Sequence, residues 1–138
     1  MPPLVIAAAK ALIGNTRRFL VVQQRVGDHV FWDLPGGRVR HGESPYDTVV
    51  REVKEEVGLD VEVSGCAGAW WFLRSVDAVE VVCTTFFCEP KDLHTLRLQT
   101  EDDEEVLDGF QWVSKEEFLT DRYAVSNESL KDLIRRVW

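Results

Sequence analysis

Three glutamates, Glu52, Glu55 and Glu56, stand three and four residues apart in the run Arg51-Glu52-Val53-Lys54-Glu55-Glu56. On a helix, stepping about 100° per residue from Glu52 puts Glu55 near 300° and Glu56 near 40°, so the three carboxylates share one face. Like charges this close repel, at a cost of roughly a few tenths of a kcal/mol per i,i+4 pair, and a divalent cation is the natural compensator. Magnesium takes hard oxygen ligands, keeps several waters and is usually held by few carboxylates together with substrate phosphates. The chemistry such a cluster offers is metal-assisted attack of water on phosphorus. The same wheel puts Tyr46, Val50, Val53 and Val57 at about 100° to 160°, a stripe expected to face the core. An E-x-x-E-E run alone is more often a solvated acidic face, so its surroundings decide.

Ahead of the run, Leu34-Pro35-Gly36-Gly37 reads as a tight glycine turn, and Gly42-Glu43 precedes a helix cap at Ser44. Glycines there let the backbone approach a ligand closely. Read together, Gly37, Glu43, Arg51-Glu52-Val53, Glu55-Glu56 and Gly58-Leu59 satisfy G-x5-E-x7-R-E-U-x-E-E-x-G-U, where U is a bulky aliphatic residue. This stretch resembles the Nudix box, with nine constrained positions in register over 23 residues. The Leu34-Pro35-Gly36 lead-in and Trp112-Val113-Ser114 before a late helix are also similar to that family.

The resemblance implies an α/β/α sandwich, an α+β fold with a mixed central sheet between helices, and hydrolysis of a diphosphate linkage. It implies Glu52, Glu55 and Glu56 as ligands of Mg2+, with Mn2+ as a substitute, and the main-chain oxygen of Gly37 as a further contact. Glu52 is the implied general base, although a loop acid outside the box can serve in this family. Arg51, four residues before Glu55, is positioned to pair with that carboxylate and orient it. Glu43, just ahead of the cap, is expected to tie the loop to the helix start. An additional acidic ligand often precedes the strand holding Trp112, which points to Glu105, or Glu104, in the run Glu101-Asp102-Asp103-Glu104-Glu105. A solvated acidic loop is the competing reading of that run.

Substrate choice is less legible. Arg25 closes a strand-like run at a place where related proteins often meet phosphate, and a surface arginine is the alternative. Trp70, Trp71 and Phe72 include either a base-stacking platform, with Trp71 as its member, or core. Asp28 and Arg74 sit beside aromatic stretches as further pocket residues, whereas His29, His41 and His94 have no metal-ligand spacing. Arg74-Ser75-Val76-Asp77 lacks the Pro typical of ADP-ribose-selective subfamilies and the Tyr typical of dinucleoside-polyphosphate ones. That favours a nucleoside triphosphate, oxidised or noncanonical forms included, over ADP-ribose or a nucleotide sugar. A nucleotide-sensing module that does not cleave, and hydrolysis of a capped RNA end, are the rival functions.

The elements that must position these residues are readable from pattern. Extended segments are expected at Leu4–Ile13, Phe19–Arg25, Val61–Val63, Ala67–Leu73, Val79–Cys88 and Phe110–Val113, and helices at Pro45–Val57, Lys115–Leu119 and Asn127–Val137. Ser44, Pro45, Asp47 and Gly58 supply start and stop signals for the first helix. With 138 residues, 45% of them apolar, the chain is expected to form one domain spanning residues 1–138. The lack of a long apolar run and of a charged, cleavable start leads to the expectation of a cytoplasmic protein with no membrane contact. Cys66, Cys83 and Cys88 are expected to be buried reduced thiols. A formal charge of −8 argues against duplex nucleic acid as a partner, though not against a small phosphorylated substrate bridged by metal. A homodimer is left open.

Overall fold

The computed structural model describes residues 3–97 and 105–138, and of residues 105–108 the backbone alone. Strands β1 (Val5–Ile13), β2 (Phe19–Val26), β3 (His29–Asp33) and β4 (Gly36–Arg38) precede helix α1 (Pro45–Val57). Strands β5 (Val61–Leu73), β6 (Glu80–Pro90) and β7 (Glu105–Val113) follow, and helices α2 (Lys115–Phe118) and α3 (Glu128–Val137) close the chain. One sheet is mixed, in the order β4-β1-β6-β5 with β1 and β6 parallel, and the second is antiparallel, in the order β3-β2-β7. No helix among the described residues is long and apolar enough to cross a membrane.

Alternation along β1 divides the core in two. Ala9, Ala11 and Ile13 pack with Val49, Val53 and Val57 of α1, while Ala8 and Leu12 pack with Trp70 and with Leu130, Leu133 and Ile134 of α3. The mixed sheet therefore lies between two helices, as expected. Trp70 is fully buried, and its indole N–H donates to Thr85 Oγ1 at 3.0 Å, so the ring fills core without leaving a polar atom unmatched.

Five expectations are corrected. The single strand β5 replaces two expected segments, because pairing with β6 continues through irregularities next to Gly65 and Gly68. Strands β3 and β4 are additional to the expected segments. In β4 a glycine pair joins β1 edge-on, and a Cβ at Gly36 would run into the Ala9 carbonyl, so the expected turn is a close strand contact. On α1, Thr48, Val49, Val53, Glu56 and Val57 are buried, whereas Tyr46 and Val50 are exposed. The buried arc is thus turned toward the acidic face and takes in Glu56. Cys83 and Cys88 are buried, but Cys66 is exposed.

The ends of α1 follow from local chemistry. Ser44 Oγ accepts from Asp47 N at 3.1 Å, Pro45 starts the first turn, and Gly58 stops the helix at φ 73° with its N–H donating to Lys54 O. A Cβ at Gly58 would also meet the Thr95 carbonyl at 2.6 Å. Gly58→Ala should therefore destabilise the fold by at least about 1 kcal/mol, seen as a lower urea midpoint at unchanged m-value.

Candidate active site

The exposed edge of α1 is organised by one guanidinium. Arg51 meets Glu43 twice, Nε to Oε2 at 2.8 Å and Nη2 to Oε1 at 2.9 Å, and its Nη1 donates to Glu52 Oε1 at 2.8 Å and Glu55 Oε2 at 3.0 Å. The expected Arg51–Glu55 pair is present, and the fork on Glu43 is the larger part of the arrangement. Glu43 also accepts from Thr48 Oγ1 at 2.7 Å and from Arg40 N at 3.2 Å, which ties the preceding loop to the helix. Hydrogen bonds from Arg51 and Thr48 hold the Glu43 carboxyl down at about 2.

Glu56 has the opposite environment. Burial pushes its carboxyl up to about 8; Lys10 works against that shift, and Glu52 and Asp33 add to it. Gly36 N donates to Glu56 Oε1 at 3.2 Å, directly coupling β4 to the helix. Nearby, Lys10 Nζ and Asp33 Oδ2 form a buried pair at 2.9 Å, and Asp33 Oδ1 accepts from Leu34 N at 2.7 Å. Burial opposes the Lys10 charge, but Asp33, Cys83 and Glu56 together hold its pKa above the ordinary lysine range. The sequence reading missed Lys10 and Asp33. The available signal was a lone lysine inside the otherwise apolar Val5–Ile13 strand, which a core can accept only with a partner.

A cleft of about 580 Å³ opens beside this cluster. Glu52, Glu56 and Gly36-Gly37-Arg38 line one part of it, and a Cβ at Gly37 would lie 2.5 Å from the Glu52 carboxylate. Only a glycine lets that carboxylate approach so closely. Glu55 is not in the wall; it is held outside by Arg51. Ile6, Ala8, Phe72 and Val81 from the mixed sheet, with Val26 and Phe31 from the other, make the remaining wall largely apolar.

The candidates for substrate contact divide. Arg74 lines the cleft and is paired with Asp77 at 2.6 Å. Arg25 and Trp71 are outside the wall: on β2 Gln24 and Val26 line it and alternation turns Arg25 between them to the opposite face, and on β5 the lining residues are Phe72 and Leu73. Trp71 is half exposed there, and its backbone N and O both bond Ser129 Oγ. Of the aromatic trio, Phe72 is the cleft residue. Asp28 is exposed and likewise outside the wall. Glu105 opens β7 with its backbone paired to Val26, while its side chain and residues 101–104 lie outside the described residues.

Among the described residues no three His, Cys, Asp or Glu side chains converge into a group that could hold an ion. The reason is visible: Glu52 and Glu55 both turn to Arg51, whereas Glu56 turns to Gly36 N. The donor set still fits magnesium, which needs few protein oxygens when water and phosphate complete its shell. The buried Glu56 carboxylate in particular is an oxygen donor whose charge a cation would offset.

A mixed sheet between helices, with a glycine strand pressed against an acid-bearing helix beside a cleft, makes this an α/β/α sandwich with an acidic cleft. The chain belongs to the Nudix family: the NUDIX domain model matches residues 3–134. It is 44% identical over 54 residues to an RNA pyrophosphohydrolase of Saccharophagus degradans, covering 37% of this chain and 32% of that protein. It is 37% identical over 59 residues to a putative 8-oxo-dGTP diphosphatase of Bacillus subtilis, covering 43% of this chain and 38% of that protein. The chain thus spans about a third to two-fifths of the length of these relatives. The MutT protein of Methanosarcina mazei Go1 superposes with a TM-score of 0.79 at 26% identity, over 99% of this chain and 95% of that one.

Two carboxylates predict opposite pH dependences. Glu43 titrates below its ordinary 4.5, so its stabilisation is present above about 4.5 and is lost as pH falls through about 2. Glu43→Gln should lower the urea midpoint near neutrality and flatten its decline between those values. Glu56 titrates above 4.5, so in chelator-treated protein the fold loses stability as pH rises from 4.5 through about 8. Glu56→Gln should remove that decline, and thermal denaturation at pH 5 and pH 9 with chelator present measures it.

Proposed function

We propose that the chain is a magnesium-dependent pyrophosphohydrolase that converts a nucleoside triphosphate, oxidised or noncanonical forms included, to the monophosphate and pyrophosphate. The observation that carries this reading is the composition of the cleft, which joins Glu52, Glu56 and the Gly36–Arg38 backbone to an apolar, aromatic-bearing wall supplied by both sheets. Phosphates fit the first part and a flat heterocycle the second. The B. subtilis relative's name supports an oxidised nucleotide and the S. degradans relative's a phosphorylated RNA end; the charge of −8 favours the smaller substrate.

Glu52 and Glu56, with the Gly37 main-chain oxygen, would hold magnesium, which neutralises phosphate charge and acidifies a bound water. Glu55 would complete the donor set by turning in from the Arg51 contact that holds it outside the cleft wall. Arg51 anchors Glu52 and Glu55 through Nη1, and Glu43 in turn fixes Arg51, so the carboxylates are oriented before substrate arrives. Glu52 accepts the proton from the attacking water. The new bond forms from that water's oxygen to phosphorus, in line with the bridging oxygen that leaves on pyrophosphate.

A phosphate-release screen over many nucleotides with Mg2+, coupled to pyrophosphatase, tests the reading. The parent should turn over at least one triphosphate, and Glu52→Gln and Glu56→Gln should each lower kcat by about 10²- to 10⁴-fold. Equal turnover by parent and both variants would remove the mechanism.

A further inference from the structure

Several polar side chains that line the cleft are already committed to partners. Lys10 is paired with Asp33, Glu52 with Arg51, and Arg74 with Asp77. Gln24 differs. It is only 6% exposed, it lines the cleft, and its carboxamide has no hydrogen-bond partner among the described residues. The amide sits in the cleft wall with no protein group bonded to it and is open to the cleft, so the polar edge of a ligand is what it can meet there.

Its surroundings narrow the ligand. Gln24 stands directly across from Phe31 in the β2–β3 register, and Val26 stands across from His29, so these four side chains share the wall. The opposite wall is built by Ile6 and Phe72, which both register with Val81. Two apolar walls with one planar donor–acceptor group at the side suit a flat heteroaromatic ring whose edge carries an adjacent donor and acceptor. Ser126, in the segment between α2 and α3, lines the same cleft, and its buried hydroxyl also lacks a partner.

We infer that Gln24 reads the hydrogen-bonding edge of the substrate's base and sets the preference among bases. The inference rests on the reading of the chain as a nucleotide hydrolase and adds the residue that selects the nucleotide. The carboxamide's one donor and one acceptor match an edge that pairs a carbonyl oxygen with a ring N–H, as in guanine and uracil, or, with the amide turned over, one that pairs an exocyclic amino group with a bare ring nitrogen, as in adenine and cytosine. The way it is turned when the base is bound sets the preference.

Two measurements on the full chain test this: kcat/KM with Mg2+ on the triphosphates of those four bases, and dissociation constants of the four monophosphates, in which no anhydride remains to be cleaved. The parent should separate the two classes, and Gln24→Leu should collapse that separation by about 10- to 100-fold, mainly through KM. Gln24→Glu keeps the shape but offers two acceptors, and should shift preference toward guanine, whose ring N–H and exocyclic amino group are adjacent donors. Because the readout is a ratio between bases, partial loss of folded protein leaves it unmoved. If Gln24→Leu does not fold, Gln24→Glu alone decides, and an unchanged ranking overturns the inference. A parent that does not separate the two classes, or a Gln24→Leu protein with the parent's ranking, overturns it as well. If no triphosphate is cleaved but the substitution changes monophosphate ranking, the hydrolase reading falls and the role of Gln24 stands.

Discussion

The organising constraint is the concentration of negative charge at the junction of α1 with β4 and β1. Glu43, Glu52, Glu55 and Glu56 all approach this seam, and the fold handles them with two cations in different settings. Arg51, near the surface, takes three of the carboxylates in a planar fork that a lysine could not reproduce. Lys10, in the interior, is neutralised by Asp33 while its field reaches Glu56. The acids can thus lie within a short distance of one another without driving the helix off the sheet.

Close approach of backbone makes that arrangement spatially feasible. Gly36 lets β4 lie against β1 and donate its N–H to Glu56, while Gly37 leaves room for the Glu52 carboxylate. A larger residue at Gly36 would push β4 off β1, and one at Gly37 would displace the Glu52 carboxylate. The glycines, the helix and the central strand therefore act as one unit, with α1 clamped by Val49, Val53 and Val57 below and by the Arg51 network above.

Division of labour follows from the two sheets. In the proposed function chemistry falls to one helix and one short strand, where hydrogen bonds from Arg51 and Thr48 hold Glu43 well below the ordinary range and burial holds Glu56 well above it. Recognition, in the same proposal, falls to the facing strands, which supply apolar walls and the Gln24 amide. Family membership speaks to the first part far more than to the second, because the box contains the acids and glycines but none of the wall residues of β2, β3, β5 or β6.

What the sequence determined by itself was local. The ends of α1, the proximity of Arg51 to Glu55, and the acid-rich face all follow from spacings of three and four residues and from cap chemistry within one short segment. The Nudix box added the fold through resemblance. Tertiary structure decided which face of α1 is buried, since the sheet received Val49 and Glu56 and left Tyr46 and Val50 outside. It also decided that Gln24 and Phe72, not Arg25 and Trp71, line the cleft, and that Lys10 meets Asp33 from 23 residues away. Spacing in the chain encodes which residues share a face. Which of two faces turns inward, and what it meets there, depends on strands brought together across long separations, and no local pattern carries that information.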